Sequence, residues 1–368
     1  MPHKKRLILL APAGRFRDLA GTLNLPVALC AMAGYLTERL PGLETHIIDL
    51  QTSFGFPLTE AAEEKLLARA MAELRPLLDE HTLVGISCHA NRDIVHALAL
   101  AQAVKQEANV PIVLGGYAPS TCYALVLEHY ARLFDAVAVG AGERACEGLL
   151  RRLEGSTIAR KHEIPGIAFV EDGQLVVTDR EEAVSLDGFP TLSLAPLQDH
   201  DAYEFVPYYT TSGCPFQCDF CFERSVHPGY RKRDPARVLD DLEQTFARFI
   251  QPRHVAFVDP LFGLDAERST ALCRGLRERD ITCSFYTRTD LLQREMYEAL
   301  AGVCEWIFLG VEAASASALT AMQKTRDPQA YLQSVREQVD LCFAYGITPQ
   351  LGFMPNYPLT TRPDAEAI

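Results

Sequence analysis

The sequence predicts an α/β protein whose N-terminal half is a doubly wound parallel sheet. Two observations support this prediction: short apolar runs alternate with helical patterns, and the runs are rich in Val, Ile and Leu, as strands covered on both faces are. The predicted strands are Arg6–Pro12, His46–Leu50, Leu83–Cys88, Pro111–Gly116 and Asp135–Gly140. The predicted helices are Pro26–Arg39, Thr59–Leu78, Arg92–Gln106, Ser120–Ala131 and Glu143–Leu153.

Length and composition limit the class of protein. The chain has 368 residues, which at about 150 residues per domain predicts two or three domains. Its 35 basic and 48 acidic residues give a net charge of −13, which disfavours nucleic acid or an anionic membrane as the main partner. No apolar run reaches the roughly 20 residues that span a bilayer, and no cleavage site follows the basic N-terminus. We therefore expect a cytoplasmic protein.

The ends of the predicted strands carry the first candidate binding residues. Ligands of open parallel sheets bind beyond the carboxyl ends of the strands, and glycine there lets a bulky ligand approach the backbone. The residues at these ends are Ser87, His89, Gly115, Gly116, Gly140, Gly142 and Glu143. Gly140, Gly142 and Ala145 also match a dinucleotide fingerprint, but they follow the fifth strand rather than the first, so a nicotinamide or flavin site is a weak alternative.

A hairpin and a linker follow this half. Two β-rich runs within Ile164–Asp179 flank Asp172–Gly173, a strong signal for a tight hairpin turn. The next stretch, Arg180–Asp201, is acidic and interrupted by glycine and proline, which is typical of a linker. We therefore divide the chain into a domain at residues 1–157, a hairpin and linker at 158–203, and a second domain at 204–368.

The cysteines separate into two groups. The chain has 11 cysteines, an odd number in a sequence without an export signal, so a disulfide framework is not expected. Eight are scattered singly in apolar contexts, as small buried hydrophobes are. The other three, Cys214, Cys218 and Cys221, form a C-x3-C-x2-C motif. Composition alone predicts on the order of 0.01 such motifs in the chain, so this spacing indicates a site.

Thiolates at this spacing are suited to metal binding. They are the soft ligands of iron–sulfur clusters, and three of them bind three irons of a cubane while the fourth iron stays open. An open metal position is typical of a catalytic site. A structural zinc site with His227 as the fourth ligand is the alternative.

The cysteine motif, with the aromatic Phe220 before its last cysteine, resembles that of the radical S-adenosylmethionine superfamily. The resemblance implies a [4Fe-4S] cluster whose open iron binds S-adenosylmethionine, and reductive cleavage of that molecule to a 5′-deoxyadenosyl radical. It also implies a partial (β/α)6 barrel over residues 204–368, which ends inside a starting helix and is therefore expected to be truncated at the C-terminus. Its predicted strands are Glu204–Thr211, His254–Phe262, Thr282–Arg288, Trp306–Glu312 and Thr348–Pro358.

Three further residues at strand ends are candidates for binding S-adenosylmethionine. Asp259 could hold the methionine ammonium, Arg288 could pair with the methionine carboxylate as a fork, and Glu312 could accept hydrogen bonds from the ribose hydroxyls. Each has a structural alternative. Asp259 could cap a helix, Arg288 could form an ion pair, and Glu312 could belong to a structural hydrogen-bond network.

The two halves together resemble the cobalamin-binding radical S-adenosylmethionine enzymes. Matching segments are Leu25–Leu29, Val84–Ser87, Val113–Gly116 and Gly142–Glu143. The resemblance implies cobalamin with its nucleotide tail along Gly115, Gly116, Gly140 and Gly142. The D-x-H-x-x-G motif that supplies a histidine to cobalt in other corrinoid proteins is absent, so the lower axial ligand is unassigned. His89 is one candidate, and Ser87 could instead line that face.

The resemblance implies a methyltransferase that acts on an unactivated carbon or phosphinate centre of a small-molecule or peptide substrate. A reductase such as flavodoxin or ferredoxin would supply electrons. Two alternatives stay open: a cyclisation or rearrangement without methyl transfer, and a non-catalytic cofactor-binding fragment.

Overall fold

The chain is described from a computed structural model. The structure describes residues 4–12, 25–50, 60–181, 184–190, 192–197, 203, 206–247, 253–358 and 360–367, with the side chains of 60–63 left out. The chain divides into a first unit, Met1–Glu204, and a second unit, Phe205–Ile368. No helix in the described ranges is long and apolar enough to cross a membrane.

The first unit contains the predicted parallel sheet with helices between its strands. The parallel strands are β1 (Arg6–Ala11), β2 (Glu44–Asp49), β3 (Thr82–Ser87), β4 (Ile112–Gly115) and β5 (Ala136–Ala138). They lie in the order β2-β1-β3-β4-β5. The helices are α1 (Val27–Arg39), α2 (Glu60–Leu74), α3 (Asn91–Glu107), α4 (Tyr117–Tyr130) and α5 (Glu143–Arg151). Consecutive residues of β1 from Leu7 to Leu10 are all buried, which confirms that both faces of the sheet are covered.

The predicted hairpin is confirmed, and it extends this sheet. After a short ribbon of β6 (Leu153–Glu154) and β7 (Thr157–Ile158), strands β8 (Ile167–Glu171) and β9 (Gln174–Val177) pair antiparallel. The turn residues Asp172 and Gly173 have φ of 51° and 76°, as a type I′ hairpin requires. Because β8 also pairs antiparallel with β5, the hairpin is the edge of the first sheet rather than a separate segment.

The described part of the predicted linker also packs on the first unit. The amide of Ile47 donates to the carbonyl of Pro196 at 2.8 Å. The Tyr203 hydroxyl donates to the Asp49 carboxylate at 2.9 Å, and both side chains are buried. Residues 182, 183, 191, 198–202, 204 and 205 lie outside the described residues.

The second unit contains the five predicted strands as a parallel sheet in chain order. These are β10 (Val206–Tyr208), β13 (His254–Phe257), β14 (Thr282–Thr287), β15 (Cys304–Glu312) and β16 (Thr348–Phe353). A short antiparallel ribbon of β11 (Thr211–Ser212) and β12 (Arg231–Lys232) precedes β13. The helices are α6 (Glu223–Val226), α7 (Pro235–Phe246), α8 (Ala266–Glu278), α9 (Met296–Leu300), α10 (Ala316–Ala321), α11 (Pro328–Ala344) and α12 (Arg362–Glu366). The order matches a partial barrel, whose functional side chains are expected at the carboxyl ends of the strands.

Candidate functional site

The three cysteines lie on one loop, residues 213–222, between β11 and α6, which we call the cysteine loop. Gly213 begins this loop with φ of 78°, and its amide donates to Oε1 of the buried Glu223 at 2.9 Å. A Cβ on Gly213 would lie 1.7 Å from the carbonyl oxygen of Gly229. The chain after the loop therefore packs directly against the chain before it, and only glycine fits at the crossing.

The three thiols are unbridged and partly accessible. Cys214 and Cys218 are half-buried, Cys221 is exposed, and all three are free cysteines. Burial raises the pKa of Cys218, while the positive charges of Lys324 and Arg288 oppose that rise. Three free thiols on one loop, with cations beside one of them, fit the thiolate donor set that an iron–sulfur cluster needs.

The described residues give no support to the zinc alternative. His227 follows helix α6, and its Nδ1 lies 3.3 Å from Oε1 of Glu223 at the start of that helix. Within the described ranges, no three His, Cys, Asp or Glu side chains are grouped to hold one metal ion. A cubane does not need such a group, because each cysteine binds a different iron.

Arg288 follows β14 and is fixed beside the cysteine loop. Its Nε and Nη2 each donate to the Asp290 carboxylate at 2.8 Å, and Nη2 also donates to the Lys324 carbonyl at 2.8 Å. Its Nη1 lies 3.5 Å from Cys218 Sγ, and the Phe216 ring is 3.9 Å from the guanidinium carbon. In the described structure the two donors of this fork are paired with Asp290, as in the ion-pair alternative, and the predicted role in binding the methionine carboxylate stays a prediction.

Glu312 and Lys324 form an ion pair at the end of β15. Lys324 Nζ lies 2.9 Å from Glu312 Oε1, and the two side chains are only 5% and 15% exposed. Glu312 has φ of 70°, an uncommon conformation for a residue with a side chain and one that recurs at functional sites. A Cβ on Gly310 would lie 2.7 Å from the same carboxylate oxygen, so glycine leaves the space that the pair occupies.

Lys324 is a candidate that the sequence reasoning did not single out. Its ammonium lies 5.7 Å from the ring centre of Tyr331 and 6.0 Å from that of Phe220. Lys324 ends the segment Ala314–Lys324, which resembles a stretch that follows the fourth strand in radical S-adenosylmethionine enzymes, and this resemblance is the signal by which the sequence could have pointed to it. Only the folded chain brings its ammonium next to Glu312.

Asp259 lies inside the second unit rather than on its surface. It is 2% exposed, and its carboxylate accepts hydrogen bonds from the Thr210 hydroxyl, the Thr210 amide at 2.5 Å and the Thr211 amide at 2.8 Å. The cap of α8 is Asp265, so the helix-cap alternative does not hold for Asp259. Its placement fastens the segment before the cysteine loop and does not support the predicted ammonium role.

The burial of Asp259 predicts a pH-dependent stability. Burial raises its pKa to about 6, against the lowering effect of the bonds from Thr210 and Thr211, whereas an unfolded aspartate titrates near about 3.9. The folded state therefore holds the proton more tightly, and the stability that this contributes is present below about pH 4 and lost as the pH rises to about 6. We compare the unfolding free energies of the wild type and Asp259→Asn. The wild-type value minus the variant value is expected to fall by up to about 1.4 kcal/mol per pH unit in that interval.

Urea unfolding of both proteins at several pH values measures this difference. The Asn variant has no group that titrates at this position, so it removes the pH dependence common to the rest of the chain. A difference that stays constant from about pH 4 to 6 would contradict the raised pKa.

The first unit brings its predicted binding residues to one edge. Ser87 ends β3 and pairs in register with Gly115, which ends β4. Gly140 follows β5, and Gly142 and Glu143 begin α5. Because β3, β4 and β5 are neighbours and parallel, their carboxyl ends form one contiguous edge, as expected for a ligand site in an open sheet.

The backbone conformation and packing require glycine at one of two neighbouring positions of this edge but not at the other. Gly116 has φ of 106°, and a Cβ there would lie 2.2 Å from the Cys88 carbonyl oxygen, so the fold itself demands glycine. Gly115 has no positive φ, and a Cβ there would meet only Ala138 at an ordinary 3.7 Å. The fold does not require glycine at 115. Its missing side chain leaves space at the carboxyl end of β4, which fits a site for a bulky corrinoid.

His89 is exposed two positions after the end of β3. Its amide donates to Asp93 Oδ2 at 2.8 Å, and its ring lies 5.4 Å from the Tyr117 ring in an edge-on arrangement. The backbone at His89 is thus held by the first turn of α3, and the ring is placed at the same edge as Ser87. The axial role of His89 stays a prediction.

Comparison with known families matches each unit to a domain. Residues 20–150 match the B12 binding domain, and residues 208–366 match the radical SAM superfamily. The chain is 24% identical over 379 residues to an uncharacterized methyltransferase of Pyrococcus horikoshii, covering 100% of this chain and 77% of that protein. It is 28% identical over 332 residues to the anaerobic magnesium-protoporphyrin IX monomethyl ester cyclase of Rubrivivax gelatinosus, covering 83% of this chain and 55% of the cyclase.

A solved structure shows the same fold. The cobalamin-dependent S-adenosylmethionine radical enzyme OxsB, with aqua-cobalamin and S-adenosylmethionine bound, matches with a TM-score of 0.77 at 18% identity. The match covers 99% of this chain and 51% of the OxsB chain. This chain therefore spans about half the length of that enzyme and of the cyclase.

Proposed function

The chain belongs to the cobalamin-binding-domain radical S-adenosylmethionine enzymes, and on this basis we propose that it is a methyltransferase acting on an unactivated carbon or phosphinate centre. The observation that supports this proposal is the presence of a B12 binding domain and an accessible, unbridged cysteine loop in one chain. The name of the Pyrococcus relative, a methyltransferase matched over the whole of this chain, agrees with it.

The two domains imply cobalamin, S-adenosylmethionine and a [4Fe-4S] cluster as cofactors. When bound, these groups supply the carbon radical that removes a substrate hydrogen and the methyl group that replaces it. Cys214, Cys218 and Cys221 would hold the cluster. The chain's own contribution is then positioning and the exclusion of water, since the cofactors carry the difficult chemistry.

Glu312 and Lys324 would bind two polar groups of S-adenosylmethionine, its ribose and its methionine carboxylate. The Glu312 carboxylate is an acceptor for ribose hydroxyls, as its sequence position predicts. With the Arg288 fork filled by Asp290, the Lys324 ammonium is the nearby cation that could pair with the methionine carboxylate. In this proposal the ion pair between Glu312 and Lys324 keeps each group paired until the ligand replaces its partner.

The carboxyl edge of the first sheet would hold cobalamin. The space left by Gly115 lies beside Ser87 in the sheet, and the exposed His89 follows on the next segment. The glycines Gly116, Gly140 and Gly142 continue this edge, where the nucleotide tail would lie. In this proposal the protein supplies a fitting shape and hydrogen bonds to the corrinoid. These do not depend on whether His89 is the axial ligand of cobalt.

A cyclisation without methyl transfer is the second candidate function. The relative from Rubrivivax gelatinosus is named a cyclase that acts on a magnesium-protoporphyrin ester, and it matches 83% of this chain. Both functions need electrons for the cluster, which we assign to a small reductase such as flavodoxin or ferredoxin. Eleven free cysteines and an oxygen-sensitive cluster fit the reducing cytoplasm.

The test is the fate of the methyl group of S-adenosylmethionine. The protein is purified without oxygen, loaded with iron, sulfide and hydroxocobalamin, desalted, and incubated with deuteromethyl S-adenosylmethionine and a strong reductant. A methyltransferase is expected to form S-adenosylhomocysteine, transfer label to the corrinoid and release 5′-deoxyadenosine. Release of 5′-deoxyadenosine alone would favour the cyclisation, and the absence of all three products would leave a cofactor-binding protein.

A further inference from the structure

We propose that Arg288 is a positioning residue that anchors the Cys218 side of the cysteine loop and sets the reduction potential of the cluster through an N–H···S hydrogen bond. This inference rests on the cluster of the radical SAM domain and not on methyl transfer. It is an alternative to the role in binding the methionine carboxylate that the sequence predicted for this residue.

The contacts of Arg288 hold its guanidinium in one orientation. Arg288 is 4% exposed, and its guanidinium has five N–H donors in a fixed plane. Nε and Nη2 are held by both oxygens of Asp290, and Nη2 also by the Lys324 carbonyl. The Phe216 ring covers one face at 3.9 Å from the guanidinium carbon. These contacts leave Nη1 at 3.5 Å from Cys218 Sγ.

This arrangement joins separate parts of the second unit. Arg288 and Asp290 follow β14, Phe216 and Cys218 belong to the cysteine loop, and Lys324 follows α10. Because one planar group contacts all three segments, a shift of any one segment would break its own contact with Arg288. Arg288 is therefore placed to fix the cysteine loop before a cluster is assembled on it.

Hydrogen bonds to the sulfurs of an iron–sulfur cluster stabilise the more negative, reduced state and raise its potential. The charge of Arg288 is paired with Asp290 at 2.8 Å, so its net monopole at the cluster is small. The effect of Arg288 on the reduction potential should then depend on the directed N–H···S contact rather than on the positive charge. A lysine at this position would retain only the charge.

Three variants separate these effects. Arg288→Gln removes the charge and the fork, Arg288→Lys keeps the charge but loses the fork, and Arg224→Gln is the matched control. Arg224 is an exposed arginine on α6, three positions after Cys221, and it makes no described contact with the cysteines. The potential of the reconstituted cluster is measured in each by a redox titration followed by electron paramagnetic resonance.

We expect both Arg288 variants to shift the potential to more negative values and Arg224→Gln to leave it at the wild-type value. A wild-type potential in Arg288→Lys, or equal shifts in Arg288→Gln and Arg224→Gln, would overturn the proposal, because charge alone would then explain the effect.

A second measurement uses the protein before the cluster is loaded. Hydrogen exchange of residues 213–222 is expected to be several-fold faster in Arg288→Lys than in the wild type or Arg224→Gln, while other segments of the second unit exchange as before. Unchanged exchange in the cysteine loop would contradict the anchoring role. This readout remains informative where a variant takes up little iron, and it does not depend on whether methyl transfer occurs.

Discussion

Substitution of Cys214, Cys218 and Cys221 together by alanine is expected to abolish the iron–sulfur cluster and with it all formation of 5′-deoxyadenosine. The three thiols are the donor set of the cysteine loop, and Cys221 is exposed while the other two are half-buried. Their removal should cost the fold little, at most about 1 kcal/mol each, since such partly exposed side chains bury little surface. The expected result is a folded protein with iron and sulfide contents at background after reconstitution.

The control for this experiment is Cys122→Ala. Cys122 is a half-buried free cysteine on α4 of the first unit, so its loss changes thiol content without touching the cysteine loop. It should retain the cluster in full. An iron–sulfur absorbance band that survives in the triple variant would defeat the assignment of the cluster to this loop, and loss of the band in Cys122→Ala would show that the assay reports on thiol damage instead.

The fold was largely predictable because its signals are local. Alternating apolar runs and helical patterns are properties of short segments, and the five parallel strands of the first unit follow them closely. The turn at Asp172 and Gly173 was likewise predictable from two residues whose φ must be positive. The pairing of that hairpin with β5 was not, since a partner strand is chosen by long-range packing and not by the hairpin's own sequence.

The site was predictable where residue type alone limits the chemistry. Three cysteines at this spacing have few uses, so their sequence sufficed to propose a cluster. Arg288 and Asp259 are different, because a strand-end charge can serve a ligand or the protein. The Asp259 carboxylate accepts hydrogen bonds from the amides of Thr210 and Thr211, which lie 49 and 48 positions earlier in the sequence. Such contacts depend on the direction of a side chain in the folded sheet.

The contact between Lys324 and Glu312 likewise could not be predicted from the sequence. Lys324 lies 12 positions after Glu312 and beyond a helix, so no periodicity connects the two residues. Glu312 has φ of 70° at an irregularity in the pairing of β15 with β16, and its carboxylate accepts a hydrogen bond from the Lys324 ammonium beyond that helix. A conformation of this kind is strained, and strained residues are where local sequence rules are expected to fail.

Gly213→Ala is expected to have the second large effect, because it disrupts the start of the cysteine loop. The residue has φ of 78°, and the new Cβ would lie 1.7 Å from the Gly229 carbonyl oxygen. Left-handed strain costs about 1–2 kcal/mol and overpacking against backbone about 1–3 kcal/mol, so we expect a loss of roughly 2–5 kcal/mol in unfolding free energy. Cluster occupancy after reconstitution should fall several-fold.

Gly229→Ala separates the two causes. Gly229 has the same φ of 78°, yet a Cβ there meets nothing within 4 Å, so only the left-handed strain remains. We expect this variant to lose about 1–2 kcal/mol and to keep its cluster. Urea unfolding and iron content measure both proteins under the same conditions. Equal losses in the two variants would mean that strain alone governs the loop, and the close crossing of Gly213 over Gly229 would then not be what holds the cysteines in place.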